Sequence, residues 1–222
     1  MKLSPDRKEI IRYLGYRGAT PDEKILEEIE RGVEELQRAV TPRFVYEQFP
    51  IRRSRGQNSE EQLCLADVTI VSRDLSRNLR DCHAVYVMAA TLGPGPDMLI
   101  RRASIGKVSY AVILQAAAAA MTETWCDQVN ERIREEALRD GLFTRPRYSP
   151  GYGDLPLALQ TDIMRILNMP KEIGVSLTDT LLMTPSKSVT ALIGVSKNPA
   201  NCHRTGCADC SASSTCPYRA ES

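Results

Sequence analysis

The sequence predicts an α+β fold: a single domain with a mainly antiparallel, twisted sheet, flanked by helices that include one long helix and followed by a cysteine-rich tail. Three observations carry this reading. Strand-like and helix-like segments interleave irregularly, with no βα repeat of constant length and no internal repeat, which argues against a doubly wound parallel sheet. The stretch from about Asp97 to Asp140 is helical in pattern, as a short helix and then a long one. From Asn198 onward apolar residues give way to Cys, Ser, Ala and Asn, a composition that cannot build a core of its own. The domain is therefore placed at 1–197 and the tail at 198–222.

The elements follow in order. Thr20, Pro21 and Glu23 read as N-cap, first-turn proline and capping-box partner. Behind them Ile25, Ile29, Val33, Leu36 and Val40 recur at three- and four-residue spacing until Pro42, an amphipathic helix. Phe44–Ile51 and Gln62–Val71 are β-branched and aromatic enough for strands. Ser72 caps a short helix running to Leu79. His83–Leu92 is a nearly continuous apolar run, as a buried central strand requires, and Gly93-Pro94-Gly95-Pro96 turns the chain after it. The five alanines Ala116–Ala120 leave a flat helix face that another backbone can approach, and Gly141 is placed to end the long helix. A loop spans Thr144–Leu155. A helix over Leu157–Asn168 is stopped by Pro170, and strands around Thr180–Met183 and Lys187–Val195 flank a turn at Thr184-Pro185-Ser186.

Composition excludes several classes of function. Lys plus Arg number 29 against 28 Asp plus Glu, which gives no electrostatic case for nucleic acid or an anionic membrane. The tight run Arg52, Arg53, Arg55 reads as a solvated loop facing water rather than as a local basic patch. The opening MKLSPDRKEI has no apolar core of a secretory signal, and no stretch approaches the ~18 apolar residues of a membrane helix, so the expected location is cytoplasmic. In a reducing compartment seven cysteines argue for thiols or metal ligands rather than a disulfide framework.

Three features carry chemistry. In the loop Arg145–Asp154 (RPRYSPGYGD), prolines restrict the backbone and glycines let a ligand approach main-chain groups; Arg147 offers a planar fork for a carboxylate and Tyr152 a ring with a polar tip. An ordinary rigid connection between helices has the same composition. Glu123, between the alanine run and a charged stretch, can meet an ammonium or sulfonium cation or simply face water, while Trp125 is expected in the core. Cys202-x4-Cys207-x2-Cys210-x5-Cys216-Pro217 puts four soft thiolate ligands into a segment with no core. Its opening spacing and final Cys-Pro favour an iron–sulfur cluster over zinc. Cys64, Cys82 and Cys126 sit in apolar contexts and read as inert buried thiols, and His83 reads as structural.

These residues resemble the activation domain of cobalamin-dependent methionine synthase, in the short, separately encoded form. Arg147-Tyr148-Ser149-Pro150-Gly151-Tyr152 is similar to that family's Arg-Pro-Ala-Pro-Gly-Tyr ligand loop. Glu123 lies eight residues before Glu131-Arg132, as the family's ligand-binding glutamate does before its Glu-Arg pair. Met183–Thr190 (MTPSKSVT) resembles its Met-Trp-Pro-Gly-Ala-Ser-Val-Ser segment. The resemblance implies S-adenosylmethionine as ligand, with Arg147 on its carboxylate, Glu123 at its ammonium, Ser149 and Gly151 presenting backbone groups to the nucleoside, and Tyr152 near the corrin face.

It implies no catalytic acid or base. It further implies reactivation of cob(II)alamin on a separate methionine synthase or another corrinoid protein, with cobalamin arriving only on that partner and an electron donor protein as a further partner. The competing reading is a zinc-stabilised interaction protein without S-adenosylmethionine binding. The family's N-terminal ligand aspartate has no counterpart near Arg12–Arg17. Cys202 falls near the place of a ligand-contacting tyrosine, which suggests a cluster relaying the electron.

Overall fold

A computed structural model describes residues 3–16, 19–56 and 60–200. In chain order the elements are α1 (Arg7–Tyr13), α2 (Glu23–Ala39), β1 (Arg43–Pro50), β2 (Arg52–Arg55), β3 (Glu61–Leu65), β4 (Val68–Ile70), α3 (Arg73–Asn78) and β5 (Cys82–Thr91). Then come α4 (Gly95–Gly106), α5 (Val108–Arg139), β6 (Phe143–Thr144), α6 (Leu159–Ile166), α7 (Met169–Glu172), β7 (Ser176–Leu177), β8 (Met183–Thr184) and β9 (Ser188–Ser196). The strands form a four-stranded sheet in the order β1-β5-β9-β6, a three-stranded sheet β2-β3-β4 and a ribbon β7-β8. The pairs β2–β3, β3–β4, β6–β9 and β7–β8 are antiparallel. The fold is α+β, with antiparallel sheets flanked by helices and α5 as the long helix. No helix among the described residues is long and apolar enough to cross a membrane.

The described residues fall into two compact units, one drawn from Met1–Phe44, Ala90–Val129 and Ile173–Val189, the other from Val45–Ala89, Asn130–Glu172 and Thr190–Ser222. In the first, α2 begins one residue after Asp22, whose Oδ1 accepts from Ile25 N–H at 2.8 Å. The cap is thus Asp22 rather than Thr20: a carboxylate directly ahead of Glu23 satisfies the first-turn amide and leaves Pro21 outside the helix. At Gly32 α2 packs on α5, where a Cβ would meet Leu114 Cδ2 at 3.4 Å and Ile113 Cγ2 at 3.6 Å, an ordinary van der Waals contact. Further along α5, Ala117 and Ala118 are fully buried, as the flat alanine face predicts. Trp125 is a core residue, with Nε1 donating to Arg43 O at 3.1 Å and its ring edge-on to Phe44 at 5.7 Å.

In the second unit the three-stranded sheet departs from expectation twice. Gln62–Val71 is a hairpin of β3 and β4, turning at Ala66, which has φ of 50°. The arginine run expected in a solvated loop is the exposed strand β2, paired with β3 from Arg52↔Cys64 to Arg55↔Glu61; charged side chains suit an edge strand because they discourage pairing with other chains. Ser72 caps α3 as expected. The C-terminal turns of α5 are fastened to the sheet by Glu136, which accepts from Tyr46 Oη at 2.8 Å and Tyr86 Oη at 3.3 Å. Burial, with the Glu136 charge adding to it, pushes the Tyr86 phenol up to about 12.

After α6 the break falls at Asn168, with φ of 47°, and not at Pro170, which sits inside α7. Asparagine tolerates the left-handed conformation that ends a helix, and proline is accepted in a first turn where its missing N–H has no intrahelical partner. In the first unit the strand expected over Thr180–Met183 contracts to β8, paired with the unforeseen β7. Of the three cysteines in the described core, Cys82 and Cys126 are buried as expected and Cys64 is half-buried.

Gly95 supplies the tightest approach in the first unit, since a Cβ there would overlap the carbonyl oxygen of Ala39. Gly95→Ala is expected to destabilise the protein by ~1–3 kcal/mol in urea unfolding, the range for overpacked sites. Gly106→Ala, with nothing near its Cβ, should be neutral. Equal midpoints for the two variants would contradict this packing.

Candidate functional site

The loop that carries Arg147 is held along β9 in the second unit. β6 pairs with β9 through Phe143↔Ser196 and Thr144↔Val195, Arg145 N–H donates to Gly194 O at 2.8 Å, and Tyr148 and Leu192 exchange both backbone bonds at 2.9 and 2.8 Å. From Thr144 to Tyr148 the loop advances four residues (148 − 144), while β9 advances three from Val195 to Leu192 (195 − 192). One extra residue is therefore absorbed, as in a β-bulge, in the stretch where Pro146 has no N–H to give. The two arginines of the loop then separate in role. Arg145 is 3% exposed and bonds to backbone, Nη2 to Arg80 O at 3.1 Å and Nη1 to Ala200 O. Arg147 is half-buried in the bulge.

Beyond Tyr148 the chain turns back on itself. Tyr152 N–H donates to Ser149 O at 3.2 Å, Gly151 N–H to Leu155 O at 2.9 Å and Leu155 N–H to Tyr152 O at 3.0 Å. Gly151 and Gly153 take φ of 91° and 53°, which a side chain resists. The turn thus uses the Ser149 carbonyl and the Gly151 amide. The Ser149 N–H and Gly151 C=O make no bond to another backbone group among the described residues. Tyr152 is 63% exposed, its ring edge-on to Tyr148 at 6.3 Å.

Asp154, a loop residue to which the sequence reading gives no role, fixes the far end. Its carboxylate accepts from Ser72 Oγ, from Arg73 N–H at 2.8 Å and from Asp74 N–H at 3.2 Å, so it shares the cap of α3 with Ser72. Ser72 Oγ in turn accepts from Leu75 N–H at 3.0 Å. The Ser72 hydrogen bond, with the Arg73 and Asp74 amides behind it, holds the Asp154 carboxyl below its ordinary range. The sequence signal lay in the pairing of an acidic loop end with a helix start carrying its own cap, a long-range relation that no local motif displays.

Glu123 belongs to the first unit, exposed on α5. The N-terminal segment without a matching aspartate brings Tyr13 to it: burial, then the Glu123 charge, raises the Tyr13 phenol, and Arg12 stacks on the Tyr13 ring at 4.7 Å. In the same unit the third landmark, Met183–Thr190, is ordered by Asp97. Its carboxylate accepts from Ser186 N–H at 2.7 Å and Ser186 Oγ at 2.5 Å. Lys187 beside it is 8% exposed, and burial depresses its ammonium despite Asp97.

The structure therefore brings Arg147, Ser149, Gly151 and Tyr152 onto one clamped loop, and sets Glu123 on α5 beside Tyr13. The predicted ligands Cys202, Cys207, Cys210 and Cys216 lie outside the described residues. Among the described residues no cluster of three or more His, Cys, Asp or Glu could hold a metal ion.

Known proteins match this chain in sequence family and in fold. The family model of the vitamin B12 dependent methionine synthase activation domain matches residues 45–206. The crystal structure described as the MetH reactivation domain bound to AdoHcy superposes with a TM-score of 0.64 at 18% identity, over 90% of this chain and 76% of that one. At that identity the likeness is one of fold. No curated protein sequence matches. The chain belongs to the family of vitamin B12-dependent methionine synthase activation domains.

If Asp154 clamps the loop, its removal must loosen the turn. In Asp154→Ala, the Gly151 and Leu155 amides are expected to exchange with solvent at least about tenfold faster, as locally opened hydrogen bonds do. Asp154→Asn, which keeps an acceptor oxygen, should fall between. Unchanged exchange in Asp154→Ala would remove the clamp from the account.

Proposed function

We propose that this chain binds S-adenosylmethionine and supports the reductive methylation of cob(II)alamin on a separate cobalamin-dependent methionine synthase. The observation that carries the reading is the family match over residues 45–206, which takes in both the part of α5 bearing Glu123 and the loop bearing Arg147. The bound S-adenosylhomocysteine named for the similar crystal structure, the demethylated form of the proposed ligand, adds support.

In this proposal the Arg147 guanidinium pairs in two-pronged fashion with the methionyl carboxylate and Glu123 attracts its ammonium. Ser149 and Gly151 read the nucleoside through the amide and carbonyl that the turn leaves over. The exposed Tyr152 ring lies against the corrin of the partner. One electron reduces cobalt(II) to cobalt(I). The cobalt(I) electron pair then takes the sulfonium methyl, forming a carbon–cobalt bond as the carbon–sulfur bond breaks, and S-adenosylhomocysteine leaves. No proton moves in this transfer, so the protein's contribution is alignment of the methyl with cobalt.

For the tail, the donor set of Cys202, Cys207, Cys210 and Cys216 fits an iron–sulfur cluster, since four thiolates complete such a site. Bound there, a cluster supplies a one-electron carrier. Anaerobic reconstitution with iron and sulfide should give a coloured, paramagnetic product on reduction. A colourless zinc protein with full reactivation activity would contradict the relay.

Calorimetry with S-adenosylmethionine tests the main proposal. Arg147→Ala and Glu123→Ala should each weaken binding by ~1.5–3 kcal/mol, the range for hydrogen bonds to charged groups, while Arg101→Ala leaves it unchanged. No binding heat from the unaltered chain would overturn the reading and favour an interaction protein.

A further inference from the structure

The second unit holds a cavity of about 630 Å³ that the methyl-donor reading does not use. Four guanidinium groups line it: Arg53 from β2, Arg73 and Arg77 from α3, and Arg80 just after α3. Two are engaged. Arg53 pairs with Glu61 at 2.5 Å and donates to Leu79 O at 2.6 Å, and Arg77 pairs with Asp74 at 3.2 Å. Arg73 and Arg80, both exposed, have no ion-pair partner among the described residues.

The same wall carries Ser76, a residue 7% exposed whose Oγ is shut off from solvent without a hydrogen-bond partner. A buried hydroxyl without a partner is uncommon in a folded protein and calls for an explanation such as a ligand. Of the three carboxylates on the wall, Glu61 is paired with Arg53 and Asp154 is held by the first turn of α3, while Glu60 accepts from Gln62 Nε2 at 3.4 Å through one oxygen and keeps the other, Oε2, buried without a hydrogen-bond partner. Arg73, Arg80 and the Ser76 hydroxyl are thus the side-chain donors of the wall without a partner among the described residues, against the single open oxygen of Glu60.

We propose that this cavity binds a small phosphorylated molecule, with Arg73 and Arg80 on the phosphate oxygens and Ser76 donating its hydroxyl to them. Guanidinium groups pair with phosphate through charge-assisted bonds, and donors on three separate side chains suit a tetrahedral oxyanion better than a flat carboxylate. The volume falls in the range of small-molecule sites and leaves room for an organic body beyond the phosphate. The wall shares Ser72 and Asp154 with the loop clamp, but none of the residues proposed to hold the methyl donor lines it.

Calorimetry on the full chain at ~0.15 M salt, where long-range attraction is screened, uses two probes: inorganic phosphate and the phosphomonoester glycerol 3-phosphate. The expected result is saturable one-site binding of both, tighter for the phosphomonoester. The paired change Arg73→Ala with Arg80→Ala should weaken it at least about tenfold, and Ser76→Ala by a smaller factor, as loss of charge-assisted and neutral hydrogen bonds respectively. Arg101→Ala with Arg102→Ala, exposed cations of the first unit, should change nothing, and each variant's far-ultraviolet circular dichroism should match the parent. The proposal is overturned if neither probe saturates, if only inorganic phosphate binds, or if the control pair loses as much as the cavity pair.

Discussion

The clamping of one loop at both ends is the constraint from which the site follows. A proline–glycine segment has little to hold it by itself: its glycines cost conformational entropy when fixed, and its prolines contribute no amide. In this chain the order comes from outside the segment. At one end Tyr148 exchanges both backbone bonds with Leu192 on a buried strand. At the other, an ionised Asp154 accepts from the Ser72 hydroxyl and two α3 amides. Because hydrogen bonding stabilises the charged carboxylate, the lower clamp is fully present at neutral pH and is lost only as acid protonates it.

Between those clamps, the bulge separates two arginines that look equivalent in sequence. Arg145 goes inward to backbone carbonyls, where a buried guanidinium must find acceptors. Arg147, in the bulge, is the arginine to which the proposal gives the ligand carboxylate. A rigid frame also explains how so few polar groups can suffice. In the proposed methyl transfer no proton moves, so what the protein would supply is position, and position is worth most when the groups that hold a ligand are ordered before it arrives.

Much of the fold could be read from the residues because the signals were local. The apolar run before Gly93 became β5, the alanine face became the buried side of α5, and Ser72 capped a helix where its hydroxyl indicated. What was missed was decided at a distance or by subtle local competition. Asp22 outcompeted Thr20 as a cap by standing next to the first helical residue. Arg52–Arg55 is a strand because β3 pairs with it, which no pattern of charges reveals. Asn168 broke the helix before Pro170 could. Of the loop, Arg147, Ser149, Gly151 and Tyr152 stand in one local motif, whereas Asp154 acts through a helix some eighty positions earlier and Tyr13 reaches Glu123 from a segment with no matching motif.

The arginine in the bulge gives the most direct access to the central claim. With ¹⁵N-labelled arginine in the full chain, adding S-adenosylmethionine should shift and sharpen the Arg147 guanidinium resonances saturably, leaving those of Arg145 nearly in place. A saturating ligand that leaves the Arg147 signals unmoved would show that this loop is not where the methyl donor is held.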